Sequence, residues 1–167
     1  RIDDEMLIID TGVKFPEDDL LGIDLVIPDF SYVKENKDKI KGIVLTHGHE
    51  DHIGGLPYLL KDLNVPIFGT KLTLGLLEGK LKEHNLLKGR KLKIVNPGNS
   101  IDIGKFTIDF IRVNHSIADT VALALHTPLG PIVYASDFKF DQTPIDGGVA
   151  DFHKLAELGD DSPGVLA

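Results

Sequence analysis

The most constraining feature of this sequence is a cluster of metal-binding residue types between an apolar run and a helical pattern. Within six positions the cluster contains three histidines and one aspartate, which are His47, His49, Asp51 and His52. Imidazole and carboxylate are ligands that zinc and manganese favour. Four such side chains on one short turn cannot all face one tetrahedral ion, so we predict two ions side by side. His47 and His49 would share one ion, and Asp51 and His52 would reach the second.

The residues around the cluster fit this prediction. Gly48, Gly54 and Gly55 permit a tight turn and a close approach of the backbone. The open alternative is a solvated polar loop in which Asp51 or His52 caps the following helix. We favour the metal site because this spacing, followed by two glycines and a leucine-rich helix, is uncommon by chance.

Composition narrows the class of protein. The 167 residues suit one domain of ordinary size, and the apolar fraction of 42% is enough for a core. The formal net charge of −8 argues against a self-sufficient nucleic-acid-binding module, although divalent ions would add local positive charge. The absence of cysteine excludes disulfides and thiolate metal ligands. No run of about 18 apolar residues indicates a membrane-spanning segment.

Apolar runs predict strands along most of the chain. Five single strands are expected over residues 5–10, 24–27, 42–46, 66–68 and 92–95. Two hairpins follow, the first joining residues 101–103 to 106–113 and the second joining residues 121–127 to 131–136.

Helical patterns are fewer. Leucines at 56, 59, 60 and 63 follow the helical repeat and predict a helix over residues 53–63. A second helix is expected over residues 70–84, with Thr70 at its N-cap, and a short third helix over residues 151–158. Strands before, between and after these helices indicate a mixed α/β layered fold.

The segment from His47 to His52 resembles the His-x-His-x-Asp-His signature of the metallo-β-lactamase superfamily. The resemblance implies a further histidine ligand after a later strand, which is His115, and a bridging aspartate after the next hairpin, which is Asp137. It also implies that Asp10 supports the ligand loop. Without the resemblance, other interpretations of these three residues are open. His115 would be a capped residue at a strand end, Asp137 would start a turn, and Asp10 would cap the turn that follows it.

The flanking segments resemble the ribonuclease J family of the β-CASP group. The similar segments are residues 15–29, 115–119 and 137–141, together with the histidine cluster, and the similarity covers nearly the whole chain. It implies an αββα sandwich fold. It also implies an enzyme that cuts RNA both internally and from the 5′ end. Ser116 and Asp119 are expected to support the ligands from outside the metal-binding set.

The resemblance also implies that residues 1–167 are a partial metallo-β-lactamase domain, the first half-core, truncated at both ends. Arg1 runs almost directly into a strand, and residues 164–167 are typical of the start of another. The β-CASP and C-terminal domains are then absent from this chain, as is the last histidine ligand of the superfamily. We therefore expect the ion at Asp51 and His52 to bind more weakly.

The expected reaction is hydrolysis of an RNA phosphodiester bond by a hydroxide held between the ions. Asp51, His52 and Asp137 are the predicted catalytic residues, with Asp51 or Asp137 accepting the proton. Zinc is the first choice of metal and manganese the alternative. The resemblance implies a cytoplasmic enzyme of rRNA processing and mRNA decay, acting on RNA without a membrane. It would form a dimer or tetramer, or part of an RNA-degradation complex.

Two other functions remain open. One is another hydrolase of the superfamily, such as a glyoxalase II-like thioesterase or a lactonase, since the same ions polarise a carbonyl. The other is a non-catalytic paralogue in a ribonuclease complex. The three remaining histidines, His84, His126 and His153, are not expected to bind metal. The lysine-rich stretches at 34–41 and 80–93 are expected to be solvated, with RNA contact an open alternative for the second.

Overall fold

The computed structural model describes residues 1–17, 21–160 and 165–166. Residues 18–20 of the ribonuclease J-like segment lie outside the described part, as do residues 161–164 and 167. In chain order the described elements are β1 (Met6–Ile9), α1 (Ser31–Glu35), a short 3₁₀ turn (Lys37–Lys39), β2 (Ile40–Val44), α2 (Glu50–Ile53), α3 (Leu56–Leu59), β3 (Ile67–Gly69), α4 (Lys71–Glu83), β4 (Leu92–Ile94), β5 (Ser100–Ile103), β6 (Phe106–Arg112), β7 (Val121–Thr127), β8 (Gly130–Tyr134), α5 (Phe152–Asp160) and β9 (Val165–Leu166).

The first sheet contains β1, β2, β3 and β4 in that order, and all neighbouring strands are parallel. Helical segments join each strand to the next, as parallel pairing requires. Their apolar side chains, such as Leu56 and Leu77, pack on Ile43, Leu45 and Ile67 of the sheet. Because the strands are parallel, their carboxyl ends meet at one edge of the sheet.

The second sheet is an antiparallel meander of β5, β6, β7 and β8, to which β9 adds a parallel edge strand. Both predicted hairpins are present, and β7 occupies the predicted residues. The sheets face each other, with Val44 and Phe68 of the first packed against Phe106, Ile108 and Phe110 of the second.

Helix α5 covers the outer face of the second sheet, where Leu158 packs with Ile111, Ala122 and Ala124. Since α1 to α4 cover the first sheet, the order of layers is helix, sheet, sheet, helix. This is the αββα arrangement that the family resemblance implied, and it confirms the mixed α/β fold predicted from the residue patterns. No helix in the described ranges has the length and hydropathy needed to cross a bilayer.

The predicted single helix over residues 53–63 is wrong, because two short helices, α2 and α3, occupy this region. The loop after β1 interrupts the helical hydrogen bonds: Thr11 N–H donates to the His52 carbonyl at 2.6 Å, and Gly55 N–H donates to the Thr11 carbonyl at 2.8 Å. Pro57 has no N–H to continue the pattern. The turn after Ile53 is therefore set by a contact with a segment about 40 residues earlier.

The predicted strand over residues 24–27 is also wrong. Val26 makes one isolated antiparallel bridge with Lys14, through two hydrogen bonds of 2.9 Å. Leu25, Val26 and Ile27 are about two-fifths exposed, at 38%, 38% and 43%. Pro28 follows directly and lacks a donor for ladder pairing. The apolar run therefore lies on the surface and is not part of either sheet.

Candidate metal centre

Five strand ends gather at one edge of the sandwich. Asp10 follows β1, Thr46 and the histidine cluster follow β2, and Thr70 follows β3. From the second sheet, His115 follows β6 and Asp137 follows β8. The fold thus brings together residues far apart in the chain. Thr46 and Ser136, for example, are 90 positions apart, and their hydroxyl oxygens lie 2.9 Å from each other.

Four predicted ligands form one group, which we call the four-residue group: His47, His49, His115 and Asp137. Their ligating atoms all lie within 4.8 Å of one another. His49 Nδ1 is 3.0 Å from His47 Nε2 and 3.2 Å from His115 Nε2. Asp137 Oδ2 is 3.5 Å from His115 Nε2. Three ring nitrogens converging beside a carboxylate form a donor set of the kind that holds a zinc ion.

The remaining predicted ligands form the three-residue group, which is Asp51, His52 and Asp137. His52 Nε2 lies 3.8 Å from Asp51 Oδ2 and 3.7 Å from Asp137 Oδ2. Asp137 belongs to both groups, so its carboxylate is placed where a bridging ligand would lie. The Asp51 side chain is 61% exposed and that of Asp137 is 46% exposed, so the centre is open on their side.

Hydrogen bonds orient the buried His47 ring. The Thr46 hydroxyl donates to Asp10 Oδ2 at 2.8 Å, which uses its single hydrogen. Thr46 Oγ1 must therefore accept from the Ser136 hydroxyl at 2.9 Å and from His47 Nδ1–H at 3.0 Å. This leaves the lone pair on His47 Nε2, which is the nitrogen that faces His49 and the other ligands.

Asp10 orients a second ligand in the same way. His52 Nδ1 lies 2.8 Å from Asp10 Oδ2, and Thr46 N–H donates to Asp10 Oδ1 at 2.9 Å. With its Nδ1–H donated to Asp10, His52 has a lone pair on Nε2, toward Asp51 and Asp137. Asp10 thus contacts the ligand loop at Thr46 and His52, and its supporting role stays a prediction.

Protonation differs among the histidines. Burial, followed by the charges of His52 and His49, lowers the pKa of His47 to about 4, so its ring is neutral at pH 7. Burial also lowers the pKa of His115, although Asp137 opposes the effect. Burial alone would lower the pKa of His52, but its hydrogen bond to Asp10 and the nearby carboxylates outweigh burial and raise it. Neutral rings at His47 and His115 are available as metal ligands without losing a proton.

The backbone is unusual at the same place. Asp10 and Ser136 have φ angles of 54° and 56°, in the left-handed region that non-glycine residues seldom occupy. Gly12 packs so closely on the Asp51 backbone that a Cβ atom would lie 1.6 Å from the Asp51 carbonyl oxygen. Such conformations concentrate where surrounding structure fixes functional side chains.

Two other predicted supporting residues lie further from the ligands. Ser116 Oγ is 3.5 Å from His115 Nε2, at the limit of a hydrogen bond. The Asp119 carboxylate instead accepts from Leu72 N–H at 3.2 Å, in the first turn of α4. Asp119 therefore stabilises the start of a helix, and within the described part of the chain its carboxylate makes no hydrogen bond to a predicted ligand.

The histidines predicted not to bind metal lie outside both groups. His126 Nε2 is 2.9 Å from Asp109, His153 Nδ1 is 3.2 Å from Glu157, and the His84 ring contacts Tyr58 edge-on. Thr46 and Ser136 were not predicted from the sequence. Each is a hydroxyl residue directly before a predicted ligand at the end of an apolar strand, and that position was the available signal.

A four-layer αββα sandwich with two adjoining histidine–carboxylate groups at one edge defines a class of divalent-metal proteins. Residues 1–161 match the sequence profile of the metallo-beta-lactamase superfamily, and the chain belongs to that superfamily. Membership in this superfamily implies that the chain binds divalent metal.

The predicted resemblance to ribonuclease J is confirmed. The chain is 50% identical over 160 residues to ribonuclease J of Synechocystis sp., covering 95% of this chain and 25% of that protein. It is 48% identical to ribonuclease J 1 of Streptococcus pyogenes, covering 98% and 29%, and 49% identical to ribonuclease J of Thermus thermophilus, covering 99% and 30%. The chain thus spans between 25% and 30% of the length of these relatives.

Solved structures agree on the fold. Unliganded yeast PDE1 aligns with a TM-score of 0.69 at 13% identity, covering 98% of this chain and 66% of that one. A diphosphatase from the PhnP family aligns with a TM-score of 0.59 at 23% identity, covering 83% and 50%. At these identities the likeness extends to the fold alone.

Proposed function

We propose that this chain supplies the metal-binding part of a ribonuclease that hydrolyses RNA phosphodiester bonds, both internally and from the 5′ end. The observation that carries the proposal is the pair of adjoining ligand groups joined through Asp137, in a chain about 50% identical to ribonuclease J. Bound divalent ions would supply an activated water and would neutralise charge on the phosphoryl oxygens.

The chain's own residues would divide the work. His47, His49, His115 and Asp137 would hold one ion, and Asp51, His52 and Asp137 the other. Asp10 holds His52 and, through Thr46, His47 in the tautomers that ligation needs. Asp51 and Asp137 are the exposed carboxylates of the centre, so either would accept the proton that the attacking water loses. Zinc suits the nitrogen-rich four-residue group, and manganese is the alternative.

We further propose that residues 1–167 form one part of a metallo-β-lactamase domain in a longer cytoplasmic protein. The support is that the chain spans only 25% to 30% of its ribonuclease J relatives. The ion at the three-residue group would bind more weakly in this chain alone, since three side chains offer it fewer donors than four. The full-length protein would act as a homo-oligomer or within an RNA-degradation complex.

A metal-dependent hydrolase acting on a thioester or lactone is less favoured, because the similarity to ribonuclease J covers 95% or more of this chain. A non-catalytic paralogue is also less favoured. A protein that had lost turnover would be under no pressure to keep metal ligands, whereas all six candidate ligands are present here.

The test compares metal-loaded full-length protein on 5′-monophosphorylated RNA and on S-lactoylglutathione. We expect cleavage of RNA only, and we expect Asp51→Ala to abolish it. Asp62→Asn is the control, because Asp62 is an exposed partner of Lys34 and belongs to neither ligand group. Turnover of the thioester alone, or unchanged RNA cleavage by Asp51→Ala, would rule out the proposed activity.

A further inference from the structure

Helix α4 lies beside the metal centre, although within the described part of the chain both ligand groups consist of residues from other elements. One set of its contacts reaches the loop that carries His49, and another reaches the segment that follows His115. His49 Nδ1 and His115 Nε2 are 3.2 Å apart. The helix therefore contacts the two segments whose separation sets this distance.

The first contact is an ion pair between Lys80 of α4 and Glu50, which lies between two predicted ligands in the chain. The Lys80 ammonium is 2.7 Å from one Glu50 carboxylate oxygen and 2.8 Å from the other. The Lys80 side chain is 20% exposed, whereas that of Lys82, which pairs with Glu78, is 62% exposed. Solvent therefore screens the Lys80 pair less, and Lys80 departs from the solvated state expected for residues 80–93.

The chain around Glu50 leaves its carboxylate little freedom. A Cβ atom at Gly54 would lie 2.7 Å from Glu50 Oε2, so the carboxylate fits only because Gly54 has no side chain. The Glu50 carbonyl accepts from Gly54 N–H at 2.8 Å and from Val13 N–H at 3.1 Å. Holding the Glu50 carboxylate therefore also holds the first turn of α2 and the predicted ligands on either side of it.

The second contact is apolar and involves Gly48, which lies between the predicted ligands His47 and His49. Leu76 of α4 packs so closely on Gly48 that a Cβ atom there would overlap it. The Ile117 side chain, from the segment after His115, lies 3.5 Å from the same position. The ligand loop is thus enclosed between the helix and that segment.

The start of α4 is bound to the segment after His115 through Asp119. The hydroxyl of Thr70, the N-cap residue, donates to the Asp119 carbonyl at 2.9 Å. The Asp119 carboxylate accepts from Leu72 N–H at 3.2 Å. Asp119 has a φ angle of 62°, in the left-handed region, which lets its carbonyl and its carboxylate both face the helix. The predicted supporting residue Asp119 therefore contacts the centre only through α4.

We propose that α4 fixes the separation of His49 and His115, with Lys80 as a positioning residue that acts through Glu50. The proposal rests on the proposed assignment of His49 and His115 as ligands of one ion. Zinc needs histidine nitrogens at about 2.0–2.1 Å, so donors on two independent segments bind it well only when their separation is set beforehand. The helix sets it by contacting both segments.

The experiment removes the ion pair without altering a predicted ligand. Lys80→Met keeps the length of the side chain and removes its charge. Lys82→Met is the matched control, because it breaks a lysine–glutamate pair on the same helix and changes the net charge equally. Lys80→Arg tests rescue, since a guanidinium also pairs with a carboxylate through two N–H groups. Zinc affinity of the full-length proteins is measured by competition with a chromophoric chelator.

A second readout is the visible absorption of cobalt bound in place of zinc, which reports on the geometry of the ligands. In Lys80→Met we expect zinc to bind about tenfold more weakly, the lower end of the loss found when a partner of a metal ligand is removed. The cobalt spectrum should change as well. Lys82→Met and Lys80→Arg should match the unaltered protein in both measurements. Glu50→Gln breaks the same pair from the other side and keeps the test open if Lys80→Met does not fold.

Unchanged zinc affinity and cobalt spectra in Lys80→Met and Glu50→Gln would overturn the proposal, even if urea denaturation showed both variants to be less stable. An equal loss of zinc affinity in Lys82→Met would also overturn it, because net charge would then explain the effect. An unaltered protein that binds zinc but does not cleave RNA would instead count against the proposed function. Zinc binding is measured without substrate, so the two failures are distinguishable.

Discussion

At the scale of single residues, the arrangement depends most on Asp10. Its two carboxylate oxygens accept from Thr46 N–H, from the Thr46 hydroxyl and from His52 Nδ1. The side chain is only 8% exposed, so solvent does not replace these contacts. One carboxylate thus orients a predicted ligand in each group: His52 directly, and His47 through Thr46.

Asp10→Asn should weaken metal binding although Asp10 is not itself a predicted ligand. Asparagine has one acceptor oxygen where Asp10 has two. It therefore cannot accept from Thr46 N–H as well as from the Thr46 hydroxyl and His52 Nδ1, and the orientations of His47 and His52 are no longer fixed. We expect zinc affinity to fall about 10- to 100-fold, the usual cost of losing a partner of a metal-binding histidine. Competition with a chromophoric chelator measures it.

Asp62→Asn serves as the control for that measurement, because Asp62 is an exposed acid whose partner is Lys34. Its zinc affinity should match that of the unaltered protein. Equal affinity in Asp10→Asn would show that the histidines hold their orientation without Asp10.

At the scale of elements, helix α4 contains a correctable weakness. Gly79 is exposed in the helix, and a Cβ atom there would meet nothing within 4 Å. Gly79→Ala should therefore raise the free energy of unfolding by about 1 kcal/mol, since alanine restricts the unfolded chain and favours the helix. Urea denaturation of the unaltered and variant proteins measures the difference.

Gly89 provides the contrasting substitution. It lies in the turn before β4 with a φ angle of 81°, which disfavours any residue with a Cβ atom. Gly89→Ala should lower the free energy of unfolding by about 1–2 kcal/mol. If both alanines had the same effect, backbone conformation would not explain either result.

A second element-scale prediction concerns the contact between α5 and the second sheet. Asp109 on β6 lies 2.9 Å from His126 on β7 and 3.3 Å from Lys154 on α5. Burial alone would raise the pKa of Asp109, but hydrogen bonds from Ser100, His126 and Lys154 outweigh burial and lower it. The ionised carboxylate is therefore stabilised by folding.

The sign of the pH dependence follows from that lowered pKa. The contribution of the Asp109 carboxylate to the free energy of unfolding is fully present above its pKa in the unfolded chain, which is about 3.9. It is lost as the pH falls through the lower pKa of the folded protein. We expect Asp109→Asn to cost about 1–3 kcal/mol at pH 7 and less at more acidic pH. Urea denaturation between pH 7 and pH 3 measures this, with the exposed Asp62→Asn as the control. A deficit that stays constant over this range would contradict the assignment.

At the scale of the whole molecule, the candidate ligands join the two sheets. The histidine cluster follows a strand of the first sheet, whereas His115 and Asp137 follow strands of the second. An ion in the four-residue group would therefore link both halves of the sandwich, and the unfolded chain could not offer the same site.

Zinc should consequently raise the melting temperature. At a free concentration 100 times the dissociation constant, binding adds about 2.7 kcal/mol to the free energy of unfolding. For a chain of this length we expect a rise of about 5–10 °C, which scanning calorimetry with zinc and with a chelator would measure. Asp137→Ala should lose most of the rise, because it removes a ligand shared by both groups. If zinc raised the melting temperature of Asp137→Ala as much as that of the unaltered protein, the ion would bind at another site.

Much of this molecule could be predicted locally. The histidine spacing indicated the candidate ligands from His47 to His52, whereas His115 and Asp137 came from the family resemblance. The apolar patterns indicated both hairpins, α4 and α5. These features depend on residues close together in the chain, where side-chain type and period 2 or 3.6 carry the information. The wrong predictions, the helix over 53–63 and the strand over 24–27, concern segments whose conformation is decided by distant contacts or by the lack of them.

Residues close together in the chain were enough to predict that candidate metal ligands follow a strand. The folded chain was needed to show that Asp10 contacts His52 and Thr46, and that Thr11 interrupts the helical region at His52. It was also needed to show that the Asn114 side chain bonds Gly148 and Ala150. These hydrogen bonds join residues 34 or more positions apart, so they leave no periodic pattern in the chain and form only when distant segments meet.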